Sequence, residues 1–129
     1  MPPKPLIDVF NKVVKLWNDG HYIEVATHFY PEKFVMKKIN DPGSVVSGLD
    51  DLYHYMNIVQ APQRPQFNPT ATATATVWKP TFGQVSGTGD YQDDIRVPRT
   101  VRIRYCFSFT RSSDVEEWLL INAFAAQEP

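Results

Sequence analysis

TATATATVW, Thr70 to Trp78, alternates a β-branched polar residue with alanine over seven positions. A two-residue period belongs to a strand, whose side chains fall on opposite faces in turn. One face then carries threonine and the other only Ala71, Ala73 and Ala75. Such a bare face lets a helix come close or leaves a cavity open.

The stretch divides the chain into two patterns. On its C-terminal side the alternating period persists, with strand candidates at 70–78, 84–92, 100–110 and 115–126. On its N-terminal side the spacing is helical. Leu6, Phe10, Val13, Val14 and Trp17 share one face, with Asp8 in the first turn, until Asn18-Asp19-Gly20 stops that helix. A shorter helix over 21–29 buries Tyr22, Val25, Ala26 and Phe29, and Pro31 ends it. The segment 33–39 reads as a strand, and NDPG at 40–43 as a turn. Ser47 then serves as N-cap of a third helix with the apolar stripe Leu49, Leu52, Tyr53 and Met56. The order α-α-β-α-β-β-β-β implies an α+β domain, three helices on one side of a curved antiparallel sheet.

Length and composition set the outer limits. The chain has 129 residues, which suits one domain spanning 1–129. Its formal net charge is −1, from 13 basic and 14 acidic residues, so no global field draws nucleic acid or an anionic membrane. Arg96, Arg99, Arg102 and Arg104 form the one basic concentration, and without interleaved aromatics it reads as a solvated surface. Cys106 is the single cysteine, which excludes an internal disulfide and a cysteine-based zinc site. Neither a secretory leader nor a membrane span is legible, so a cytoplasmic protein is expected.

The element order, together with LWNDGHYIEVATHFYPEKFVM (16–36) and SGLDDLYHYM (47–56), resembles the nuclear transport factor 2-like superfamily. That group includes ketosteroid isomerases, SnoaL-like polyketide cyclases and limonene epoxide hydrolases. The resemblance covers nearly the whole chain and rests on topology more than on strict motifs. It implies a cystatin-like sheet curled into a cone around the helices, with a small, mostly apolar ligand at the open end. It also implies a homodimer formed through the outer face of the sheet. On this frame Ala71, Ala73, Ala75 and Val77 face the helices.

The isomerase residues do not carry over. The catalytic base falls at or next to Lys37, the first-helix tyrosine near Val13 and the second acid near Tyr105, so steroid isomerisation by that mechanism is not expected. A four-residue loop at 111–114 would pair Phe107 with Trp118, Tyr105 with Leu120 and Ile103 with Asn122 on the inner face. Tyr105 would then donate a hydrogen bond to a ligand oxygen and Asn122 orient it. His28 is the histidine best placed to reach the interior. Val13, Trp17, Lys37, Tyr55, Phe107, Trp118 and Leu120 are the candidate lining residues.

Ring packing for Tyr105 and backbone satisfaction for Asn122 are the plainer explanations of those two side chains. An enzyme of this kind would isomerise, cyclise, dehydrate or hydrolyse an apolar or aromatic molecule without metal or cofactor. The alternative of a different class is a non-catalytic association module. A sealed, packed cone favours association; an open one exposing Tyr105 or Asn122 inside favours ligand binding.

Overall fold

The first helix, α1 (Leu6–Asn18), forms because its apolar residues recur every three to four positions and bury Leu6, Val9, Phe10, Val13, Val14 and Leu16 together. Its end is a Schellman turn. Gly20, at φ 78°, sends its N–H to the Trp17 carbonyl at 3.1 Å, and His21 sends its own to Leu16 at 2.9 Å. The second helix, α2 (Tyr22–Ala26), buries Tyr22, Val25 and Ala26. The computed structural model describes residues 4–30, 35–38, 41–47, 51, 54, 64–70 and 73–128, with the side chains of 36–38 and 41–47 undescribed.

Seven strands follow: β1 (Val35–Lys38), β2 (Asp41–Ser47), β3 (Gln66–Pro69), β4 (Thr74–Lys79), β5 (Phe82–Gln92), β6 (Val101–Thr110) and β7 (Leu119–Gln127). They form one curved sheet in the order β2-β1-β7-β6-β5-β3, with β4 also on β5. All pairs are antiparallel except β1 with β7. The helices pack on one face, and the core joins Phe10, Val25, Val85, Ile103, Phe109, Trp118 and Leu120, each at most 2% exposed.

The α+β cone is as expected, but its inventory differs in three places. Residues 41–47 form strand β2 where a turn and a helix N-cap at Ser47 were expected. Val45 and Val46 favour extended backbone, and Pro42 is tolerated because β2 is an edge. Of the expected third helix only Asp51 and His54 are described, both helical and exposed. The opening repeat is not one strand: β3 ends at Pro69 and β4 begins at Thr74, each pairing with its own stretch of β5.

The expected role of the alanines also changes. Ala75 and Val77 lie opposite Val85 and Gly83, on the inner side, yet both are exposed; Ala73 packs against the core. Ala71 lies outside the described residues. Room for the helix comes from β5 instead, whose inner positions include Gly83, Gly87 and Gly89. A Cβ at Gly83 would stand 2.6 Å from Leu6 Cδ2, and one at Gly89 2.8 Å from the Asn68 carbonyl oxygen.

Candidate functional site

Inside the sheet, β6 presents Tyr105 and Phe107 to Phe10 of α1 and Phe67 of β3. Tyr105 stacks on Phe10 with ring centroids 5.5 Å apart and planes 9° apart, and meets Phe67 edge-on at 5.1 Å. Phe107 closes the cluster edge-on to Phe10 and Tyr105, both at 5.5 Å. Gly87 sits directly across from Tyr105, and a Cβ there would lie 3.0 Å from the Tyr105 hydroxyl and 3.3 Å from Ala73 Cα. The hydroxyls of Tyr105 and of Tyr22 are buried without a hydrogen-bond partner. Burial pushes the pKa of both above the usual phenol value, with Arg64 opposing slightly at Tyr22. Both phenols are therefore neutral donors and cannot serve as bases near neutral pH.

The outer face is built from the opposite positions of the same strands. Ser86, Cys106 and Phe124 form one row across β5, β6 and β7; Gln84, Ser108 and Asn122 form the next, with Val35 of β1 beside Asn122. Trp78 Nε1 donates to Gln84 Oε1 at 3.0 Å, and Gln84 Nε2 donates to Ser108 Oγ at 3.1 Å. At one end Arg102 pairs with Asp90 at 3.1 Å and Arg104 with Glu128 at 2.9 Å. Beyond Asn122 lies an open groove of about 580 Å³, floored by Val35, Leu119, Ile121 and Phe124 and rimmed by Arg111, Glu116 and Glu117. Arg111 is held there by its 2.7 Å bond to the Pro80 carbonyl and by the Trp118 ring 3.9 Å away.

No family model matches the sequence, and no curated protein matches it. Solved structures do. A candidate calcium/calmodulin dependent protein kinase II association domain from Xanthomonas campestris superposes with a TM-score of 0.78 at 17% identity, over 96% of this chain and 86% of that one. A CaMKII hub from S. rosetta gives 0.76 at 12% identity, covering 99% of this chain and all of that one. A candidate dehydratase of the NTF2-like family from Streptomyces avermitilis gives 0.75 at 14% identity, over 94% and 91%. The fold is nuclear transport factor 2-like.

On the NTF2-like frame the expected site residues separate. The loop after β6 runs to Trp118, so Thr110 pairs with Leu119, and a bulge follows between Ser108 and Phe109. Phe107 consequently faces Ala123 and Tyr105 faces Ala125 where Trp118 and Leu120 were expected. The bulge also reverses the parity of β7: Asn122 pairs with Ser108 on the outer face, so the structure does not bring it to Tyr105. Phe124, two residues on from Asn122, is 39% exposed on the same outer face.

Val13, Trp118 and Leu120 are buried in the core, and Trp17 packs edge-on against Tyr22 at 5.4 Å. His28 is half-buried, and its carbonyl accepts from the Leu120 amide at 2.8 Å. Burial, then Lys12 and Lys4, hold its imidazole below the ordinary histidine pKa. Lys37 lies on β1 opposite Val45, with its side chain outside the described atoms, and Tyr55 falls outside the described residues. Among the described residues no group of histidine, cysteine and acidic side chains could hold a metal ion, and no helix is long and apolar enough to cross a membrane. Sequence reasoning missed the groove, because its grouping depends on the bulge, and it missed the contact of Trp78 with Gln84 across β4 and β5.

Proposed function

We propose that this NTF2-like chain is an association module that pairs with a second copy through the outer face of its sheet. The carrying observation is the contrast between the two faces. Among the described residues the interior is filled, with Tyr105 at 4% and Phe67 at 6% exposure, whereas Phe124, Ile121 and Leu119 line an open groove. Among the described side chains the centre of that outer face carries no charge. It holds serine, glutamine, asparagine, cysteine and two aromatics, and its arginines are already paired at one end. Depletion of charge with enrichment of aromatics is the composition of an interface centre. A twofold pairing places one self-complementary patch on itself, which a neutral centre allows without like-charge repulsion. Names such as association domain and hub among the structural neighbours support the same reading.

Light scattering on the purified protein tests it. The wild type is expected to be dimeric or larger at micromolar concentration. Ser86→Arg and Phe124→Asp, which put charge at the centre of the patch, are expected to give monomers. Ile23→Asp on the exposed side of α2 leaves the assembly intact. A monomeric wild type overturns the reading.

The second reading, binding of an apolar or aromatic small molecule in the cone, is favoured by one observation: the unpartnered buried hydroxyls of Tyr105 and Tyr22. A ligand oxygen would satisfy them, and the likeness to an NTF2-like candidate dehydratase is consistent with it. Thermal stabilisation by a panel of aromatic compounds, lost in Tyr105→Phe, would support this reading; no stabilisation by any compound would remove it.

A further inference from the structure

We propose that two copies meet outer face to outer face about a twofold axis running along the strands above the seam between β5 and β6, so that Trp78 of each copy lies in the groove of the other. This deepens the association reading and rests on it. Strand register carries the inference. β4 and β7 flank the β5 and β6 pair, so each lies one and a half strand spacings, about 7 Å, from the seam. Trp78 and the groove also share one level along the strands. Trp78 reaches Gln84, whose cross-strand neighbour is Ser108, and Ser108 pairs in turn with Asn122 on the groove wall. The axis therefore carries Trp78 of one copy onto the 119–122 stretch of the other. An axis across the strands would instead set Trp78 over β4 of the partner. An axis along them also leaves the strands of the two sheets aligned, a common way for sheets to pack.

Charge names a second copy as the occupant. Under this axis β5 and β6 exchange places, so each outer residue of one copy meets its own cross-strand neighbour from the other. Arg102 then faces Asp90 of the partner subunit, both half-exposed, and the two pairs within the chains close into a ring of four alternating charges. Gln84 faces Ser108 of the partner subunit, polar against polar, and Ser86 faces Cys106 of the partner subunit, small against small. At the other end Lys79 crosses beside Trp78 and comes to the groove rim at Glu116 and Glu117. Opposite charges thus meet at both ends of a neutral centre. Trp78 suits the anchoring role. It is 63% exposed, yet the 3.0 Å bond to Gln84 already holds its indole, so little side-chain freedom is lost on docking. The groove offers it about 580 Å³ over an apolar floor, the kind of pocket in which a tryptophan dominates association. The contact is made twice, and two copies complete it.

Sedimentation equilibrium on charge-reversed and truncated variants tests this. Arg102→Asp and Asp90→Arg each set like charge against like across the axis, and each alone is expected to self-associate about tenfold more weakly than the wild type. Mixed in equal amounts, they present acids to bases across the axis and are expected to recover the wild-type dissociation constant to within about threefold. Pairs broken within each chain stay broken in the mixture, so the recovery reads only the contact between copies. Trp78→Ser is expected to weaken association by about thirtyfold or more, the loss of a central tryptophan. Its effect and that of Leu119→Ala should fall short of multiplying by about fivefold. Three strand spacings, about 14 Å, separate the two residues within one chain, so that coupling runs between copies. Thermal melting checks that each variant folds. An assembled wild type that Trp78→Ser leaves unchanged, or whose charge variants do not recover on mixing, overturns this arrangement and spares the outer-face reading. A monomeric wild type overturns both.

Discussion

Asn18 ties helix to sheet with one side chain. Its Nδ2 donates to the Phe67 carbonyl at 2.7 Å, and its Oδ1 accepts from the Phe67 amide at 2.7 Å. The amide group therefore acts on β3 as a neighbouring strand would. Asn18→Ala leaves two partly buried backbone groups unpaired and is expected to lower stability by about 2–3 kcal/mol, measured by urea unfolding. Tyr105 is the reverse case. Its hydroxyl is buried and unpartnered, so Tyr105→Phe is expected to leave stability unchanged or raise it by up to about 1–3 kcal/mol in a filled interior. His28 sets a pH dependence. Because its folded pKa lies below the unfolded value, the unfolded chain binds the proton more tightly, and stability falls as pH drops below the unfolded pKa. Unfolding midpoints compared above and below about pH 6.5, the ordinary histidine pKa, should show this loss and show it reduced in His28→Gln.

The elements were legible where one period runs unbroken. The spacing of α1, its stop at Asn18 to Gly20, and the alternation in β5 and β6 are all plain in the sequence, because burial on one face imposes the period. The break between β3 and β4 was hidden, since the threonine and alanine pattern continues through it. The bulge in β7 was hidden too, and one extra residue there moved Asn122 and Phe124 to the outer face. The facing of individual residues was thus legible on the inner side, where Tyr105 and Leu120 are buried as read, and illegible on the outer side. Small residues were correctly read as making room, on the wrong strand. The glycines of β5 carry that role, and Gly89 has backbone on two sides: the Asn68 oxygen at 2.8 Å and Pro69 Cα at 2.9 Å from a built Cβ. Backbone cannot swing aside as a side chain does. Gly89→Ala is expected to cost about 1–3 kcal/mol in the same unfolding experiment, by forcing β3 away from β5.

For the molecule as a whole, the sheet has one face that α1 and α2 cover and one that, among the described residues, no helix covers. The core on the first face is contributed by both helices and by the long strands, which accounts for the fold without reference to any ligand. Rows of neutral side chains and an apolar groove on the second face have no such internal explanation. At one end of that face Arg102 and Arg104 are already paired within the chain. Self-association accounts for the neutral rows and the groove. The most direct test is sedimentation velocity of the wild type beside Ser86→Arg across a dilution series. The account predicts a concentration-dependent shift from monomer to dimer or larger species in the wild type, and monomer throughout in the variant. A wild type that sediments as a monomer at every concentration would contradict it.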